Sequence, residues 1–157
     1  MVLLTGAVTP EATELRSPKM TAYKSTYKSP QRWLDYKREE LAARIIGGRS
    51  KVDRNIMNNT VVRYEEDDDT YIIKYHNTDI ITYHEDHISI DTDGWETATT
   101  KLRLNTHTPF SFWQEKSIWY FSVPDTAGEY RYIDGLKFVA EEDVWCVRLP
   151  NNLEVNV

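Results

Sequence analysis

Cysteine is almost absent: Cys146 stands alone among 157 residues, so no disulfide can form within the chain. That excludes a disulfide-stapled scaffold and fits a reducing compartment. No apolar run approaches the roughly 18 residues of a membrane span. The opening stretch from Met1 to Val8 lacks the basic start of a secretory signal and is too short for one. Glycine is also scarce, with six residues, and none forms a Walker or dinucleotide-binding pattern. There is no Gly-x-Ser-x-Gly elbow, and no Ser/His/Asp set stands out by spacing. What is present is a 40% hydrophobic, 12% aromatic composition, enough to bury the core of one domain. The expectation is a protein without membrane spans, in the cytoplasm.

The net charge of −6 divides unevenly. Through Thr60 there are eleven Lys/Arg against six Asp/Glu (+5), and from Val61 onward eight against nineteen (−11). A basic lead and an acidic body can present different faces to different partners. A protein coating DNA over its whole surface is excluded, because phosphate contacts need positive charge where they form.

Residues 1–28 read as a flexible basic tail, rich in Ser, Thr and Pro and too poor in apolar residues to order alone. Residues 29–157 read as a single α+β domain. Ser29 is a natural N-cap, Pro30 suits the first helical position, and Gly47-Gly48 supplies a stop, which predicts a helix over 30–46. Trp33, Leu34, Leu41, Ala42 and Ile45 form its apolar stripe, while Arg32, Lys37, Arg38 and Arg44 cover much of the remainder. Arg49 to Thr60 reads as a polar link.

From Val61 the periodicity turns to two, and the body over 61–157 is strand-rich. Strands are predicted at Val61–Tyr64, Thr70–His76, Asp79–His84 and Ile88–Asp91, with an acidic turn at Glu65–Asp69. Ile81, Tyr83, Ile88 and Ile90 share one face, and Thr82, His84 and Ser89 the other. Asp93-Gly94 is a turn, and Thr97–Asn105 a short capped helix stopped by Pro109. Two aromatic strands, Phe110–Gln114 and Ile118–Val123, flank a turn at Glu115–Ser117. Glu129–Ile133 and Leu136–Ala140 are predicted to form a hairpin around Asp134-Gly135, before a last strand at Val144–Leu149. The fold class is therefore α+β: a mostly antiparallel sheet or small barrel, with one N-terminal amphipathic helix and one short mid-chain helix.

The segment His76-Asn77-Thr78-Asp79-Ile80-Ile81-Thr82-Tyr83-His84, followed by Gly94-Trp95-Glu96-Thr97-Ala98-Thr99-Thr100-Lys101 with Arg103 and Asn105, resembles a family of uncharacterised small proteins of tailed bacteriophages. Phe112-Trp113-Gln114-Glu115-Lys116 through Trp119-Tyr120 resembles the same family. The resemblance implies a viral origin and a strand-rich core, and it assigns no activity. Asp86-His87 stands where that family shows Asp-Gly, which would place His87 near the left-handed region.

Three groups of residues invite a chemical reading. Trp95, Thr97, Thr99, Thr100, Lys101 and Arg103 surround a helix start, where hydroxyls and cations suit an anion or a nucleic acid. The plainer alternative is capping by Thr97 or Thr99 with Trp95 packed in the core. His84 and His87 would face each other across a tight hairpin and are weak metal-ligand candidates, short of the ligand number a closed site needs. Trp95, Trp113, Trp119, Tyr120 and Tyr130 would offer a stacking platform for bases if exposed together.

None of these outweighs its structural alternative, so catalysis is disfavoured and no cofactor is expected. The expectation is a small non-catalytic phage protein that binds a host or phage macromolecule, a protein above all. The alternatives are a nucleic-acid-binding accessory protein using Thr97–Arg103 and the basic helix, and a metal-dependent enzyme using His84 and His87. Neither a membrane nor a small-molecule partner is expected.

Overall fold

A computed structural model describes residues 29–46, 53–57 and 59–150. The predicted tail over 1–28 and the Gly47-Gly48 stop lie outside the described residues. Helix α1 spans Pro30–Ile46. The Ser29 hydroxyl accepts from the Arg32 N–H at 3.2 Å, so the expected cap is in place. Trp33, Leu34, Leu41 and Ile45 are buried as predicted, and α1 packs on the large sheet through β2, β3 and β9 described below. Lys37 departs from its expected surface position. It is only 5% exposed, because its neighbours supply polar partners inside the protein.

The large sheet holds β1 (Asp53–Met57), β2 (Thr60–Glu65), β3 (Thr70–Tyr75), β4 (Thr78–Tyr83), β5 (His87–Ile90), β9 (Leu136–Ala140) and β10 (Trp145–Arg148), in that spatial order. β6 (Ser111–Glu115), β7 (Ile118–Ser122) and β8 (Tyr130–Arg131) form a second sheet. Helix α2 (Ala98–His107) connects the two. Every strand pairing is antiparallel, and neither sheet closes on itself. The α+β class holds, and the barrel alternative gives way to two open sheets.

Alternation places Ile81, Tyr83, Ile88 and Ile90 in the core, with Thr82, His84 and Ser89 on the other face. The register slips between Ile73 opposite Ile81 and Lys74 opposite Asp79, so β4 carries an extra residue there. That bulge lets Ile80 and Ile81 both be buried. Phe110 stacks on Phe138 at 4.0 Å and meets Trp145 edge-on at 5.1 Å, while Phe121 meets Phe138 edge-on at 5.4 Å. These rings join both sheets in one core with Trp33 and Leu34 of α1 and Leu104 of α2.

Three further expectations are corrected. The polar link Arg49–Thr60 contains β1, whose pairing with β2 comes from backbone hydrogen bonds rather than an apolar pattern. Asp134-Gly135 is a turn, with Gly135 at φ +90°, but it joins no hairpin. β8 pairs with β7, whereas β9 pairs with β5 and β10, so the turn hands the chain from one sheet to the other. His87 is a strand residue and is not among the described residues with positive φ; His76 is, at +53°.

Candidate functional site

The segment after β5 is built around one carboxylate. Asp134 accepts hydrogen bonds from the Thr92 N–H at 2.9 Å, the Thr92 hydroxyl at 2.8 Å, the Gly94 N–H at 3.0 Å and the Tyr132 hydroxyl. Burial raises the Asp134 carboxyl, but the bonds from Tyr132, Thr92 and Gly94 outweigh it and hold the group below its ordinary value. Burial and the adjacent carboxylate push the Tyr132 phenol upward. Asp93 and Gly94 both take positive φ, at 53° and 80°, in the turn that Asp134 fixes. The backbone then folds tightly, with the Trp95 N–H bonded to the Thr92 carbonyl at 2.9 Å and the Thr97 N–H to that of Trp95 at 3.0 Å.

Trp95 is consequently turned out of the core. It is 65% exposed, contrary to the packed position its residue type suggests. Thr97 caps α2 as expected, its hydroxyl accepting from the Thr100 N–H at 3.2 Å. The same hydroxyl contacts those of Thr99 at 3.2 Å and Thr100 at 2.9 Å, and the Tyr75 hydroxyl donates to Thr99 at 2.9 Å. Together with His76, Asn77 and Trp95, these residues line a solvent-open pocket of about 400 Å³ floored by Ile80 and Thr92.

Lys101 and Arg103 turn to other work. The Lys101 ammonium donates to Gln114 at 3.2 Å and lies 5.5 Å from the centre of the Trp119 ring. Arg103 is buried: its Nε donates to the Thr60 hydroxyl at 2.9 Å, and its guanidinium covers the Tyr75 ring at 4.3 Å. The sequence-predicted group thus splits, with Trp95, Thr97, Thr99 and Thr100 on the pocket and both cations outside its lining. Tyr75, His76 and Asn77 complete it, brought there by the β3–β4 turn. Their shared approach to α2 had no local sequence signal.

The aromatic platform does not assemble. Trp119 is buried, Tyr130 faces inward against Phe121, and Trp113 stacks on Tyr120 at 6.2 Å on the outer face of the small sheet. Trp95 has no ring contact among the described residues.

His84 and His87 do face each other across a two-residue hairpin, with rings parallel within 10° and 3.9 Å apart. His87 Nδ1 lies 2.7 Å from Asp86. Burial and the neighbouring His87 push the His84 imidazole down to about 4. Among the described residues no group of three or more His, Cys, Asp or Glu is placed to hold a metal ion.

A polar cluster that the sequence did not signal lies between the helices. Lys37 contacts Glu40 at 3.0 Å and His107 Nδ1 at 3.4 Å. Burial lowers the Lys37 ammonium, though Glu40 opposes that, and the His107 imidazole is pushed down to about 3. The Tyr83 hydroxyl donates to the His107 carbonyl, tying α2 to β4. No helix among the described residues is long and apolar enough to cross a membrane.

The family described as Kyanoviridae Gp96 protein, a phage protein family, matches residues 37–141, about two-thirds of the chain, and spans the pocket and the histidine hairpin. The chain belongs to that family, which agrees with the expected phage kinship. No curated protein and no solved structure matches it.

Proposed function

We propose that this member of a phage protein family is a non-catalytic binding protein that holds a host or phage macromolecule, a protein above all, in the host cytoplasm. Trp95 and the pocket beside it form the contact. The exposed Trp95 indole carries the reading. Tryptophan is among the residues most enriched at binding hot spots, and an aromatic anchor works best beside a concavity and on a rigid support. Asp134 supplies that support through four donor groups on Thr92, Gly94 and Tyr132. An exposed side chain contributes little to folding, so its removal separates binding from stability.

The test is affinity capture from infected cells with the wild-type chain and with Trp95→Ala, each with and without nuclease, followed by mass spectrometry. A nuclease-resistant partner that the variant retains at least tenfold less is the expected result. Equal capture by both proteins would refute the proposal. Capture that vanishes with nuclease, weakens steeply with salt and falls with Lys101→Ala would favour the nucleic-acid reading instead.

A further inference from the structure

We infer that the Trp95 pocket takes a neutral saccharide ring, so that the macromolecule proposed above is recognised through a sugar it carries. The inference rests on that proposal for the site and adds its ligand class.

The lining is rich in groups that both donate and accept. Tyr75, Thr97, Thr99 and Thr100 form a chain of hydroxyls through contacts of 2.9, 3.2 and 2.9 Å. Four hydroxyls carry four protons, and three are consumed within the chain, leaving one O–H and several lone pairs for a ligand. The exposed Asn77 amide adds two donors and an acceptor and has no hydrogen bond among the described residues. Mixed donors and acceptors of this kind suit the vicinal hydroxyls of a sugar, each of which also does both.

The same pocket provides aromatic surface. Trp95 stands exposed at its edge, and the Tyr75 and His76 rings lie 4.4 Å apart. An indole face covers the apolar C–H face of a pyranose while leaving its equatorial hydroxyls to polar partners. A volume of about 400 Å³ falls in the range of small-ligand sites, roughly 300–1,000 Å³.

Charge distinguishes a sugar from a phosphate-bearing ligand. No Lys, Arg, Asp or Glu lines the pocket, and Asp91, Asp93 and Glu96 stand exposed on the segment that carries Trp95. These carboxylates disfavour a nucleotide or a nucleic-acid backbone. The site is also pre-arranged: the His76 N–H is bonded to the Asn59 carbonyl at 2.8 Å, and the Trp95 turn is pinned by Asp134.

The test is an amide and indole NMR titration of the full chain with methyl β-glucoside, methyl α-mannoside and N-acetylglucosamine, with adenosine in a parallel arm. A single ring gains little affinity, so a millimolar midpoint is expected, with shifts at the Trp95 indole and the Thr97 and Thr99 amides. Asn77→Ala should weaken binding at least fivefold and Trp95→Ala should abolish it. No shift with any of the three sugars at roughly 20 mM, some twentyfold above a 1 mM midpoint, or shifts with adenosine alone, would overturn the inference. If the sugars fail while Trp95→Ala still removes the captured partner, only the ligand class falls. If sugars bind but capture ignores Trp95, the macromolecular proposal falls.

Discussion

Replacing His107 by glutamine should flatten the acid limb of the stability curve. The side chain is 8% exposed, and the positive charges of Lys37, Arg44 and Arg103 add to its burial in disfavouring a proton. Its imidazole is held at about 3, against an ordinary value of 6.5. Between those values the unfolded chain carries a proton that the folded chain rejects. Unfolding therefore takes up a proton, and stability falls as pH falls through the window. Each pH unit inside it is worth about 1.4 kcal/mol, so moving from pH 6 to pH 4.5 removes about 2 kcal/mol. That is a sizeable fraction of the roughly 5–15 kcal/mol a domain has. Glutamine keeps an oxygen to accept from Lys37 and has no proton to gain. Urea midpoints at pH 7.5, 6 and 4.5, with slopes checked for constancy, would measure the difference. Glutamine should cost about 1–2 kcal/mol at pH 7.5 through lost packing and then lose about 2 kcal/mol less between pH 6 and pH 4.5. His84 titrates in both proteins and cancels. Parallel pH profiles would refute the reasoning.

Other perturbations test other parts of the molecule. Asp134→Asn should cost about 2–3 kcal/mol in urea unfolding and disorder the Thr92–Gly94 amide resonances, because a carboxylate accepting several bonds is replaced by a group that must also donate. As the Asp134 carboxyl lies below its ordinary value, its contribution is present above the unfolded pKa and lost as pH falls through the folded one. Phe138→Ala should cost about 3–5 kcal/mol by calorimetry, since its fully buried ring fills the space between Phe110 and Phe121. His87→Ala should raise the His84 midpoint above about 4 in an NMR titration, because it removes both a covering ring and a like charge.

Where the fold follows from local pattern, the sequence states it well. Ser29-Pro30 marks the start of α1, and Ile81, Tyr83, Ile88 and Ile90 reveal both the hairpin and its dry face. What escaped reading depends on partners distant in sequence. Lys37 looks like a surface residue because its type is charged, and its burial makes sense only once His107, seventy positions away, is beside it. β1 has no apolar alternation because its neighbour β2 recruits it through the backbone. At the site, the capping threonines were legible as a helix start, but the pocket was not, because Tyr75, His76 and Asn77 reach it from another hairpin.

The turn that joins no hairpin and the exposed tryptophan have a common cause. Asp134-Gly135 carries a strong hairpin signal, and in a simple meander β8 and β9 would pair across it. Instead, β9 enters the large sheet between β5 and β10, which brings Asp134 against the end of β5. There the carboxylate meets Thr92 and Gly94 and sets the turn that sends Trp95 outward. Gly135 makes the crossing possible: at φ +90° with Pro150 beside it, a Cβ would come within 3.0 Å of that ring. The passage of the chain between sheets therefore also supports the exposed indole. Without that crossing, Thr92 and Gly94 would lose the carboxylate that fixes their turn.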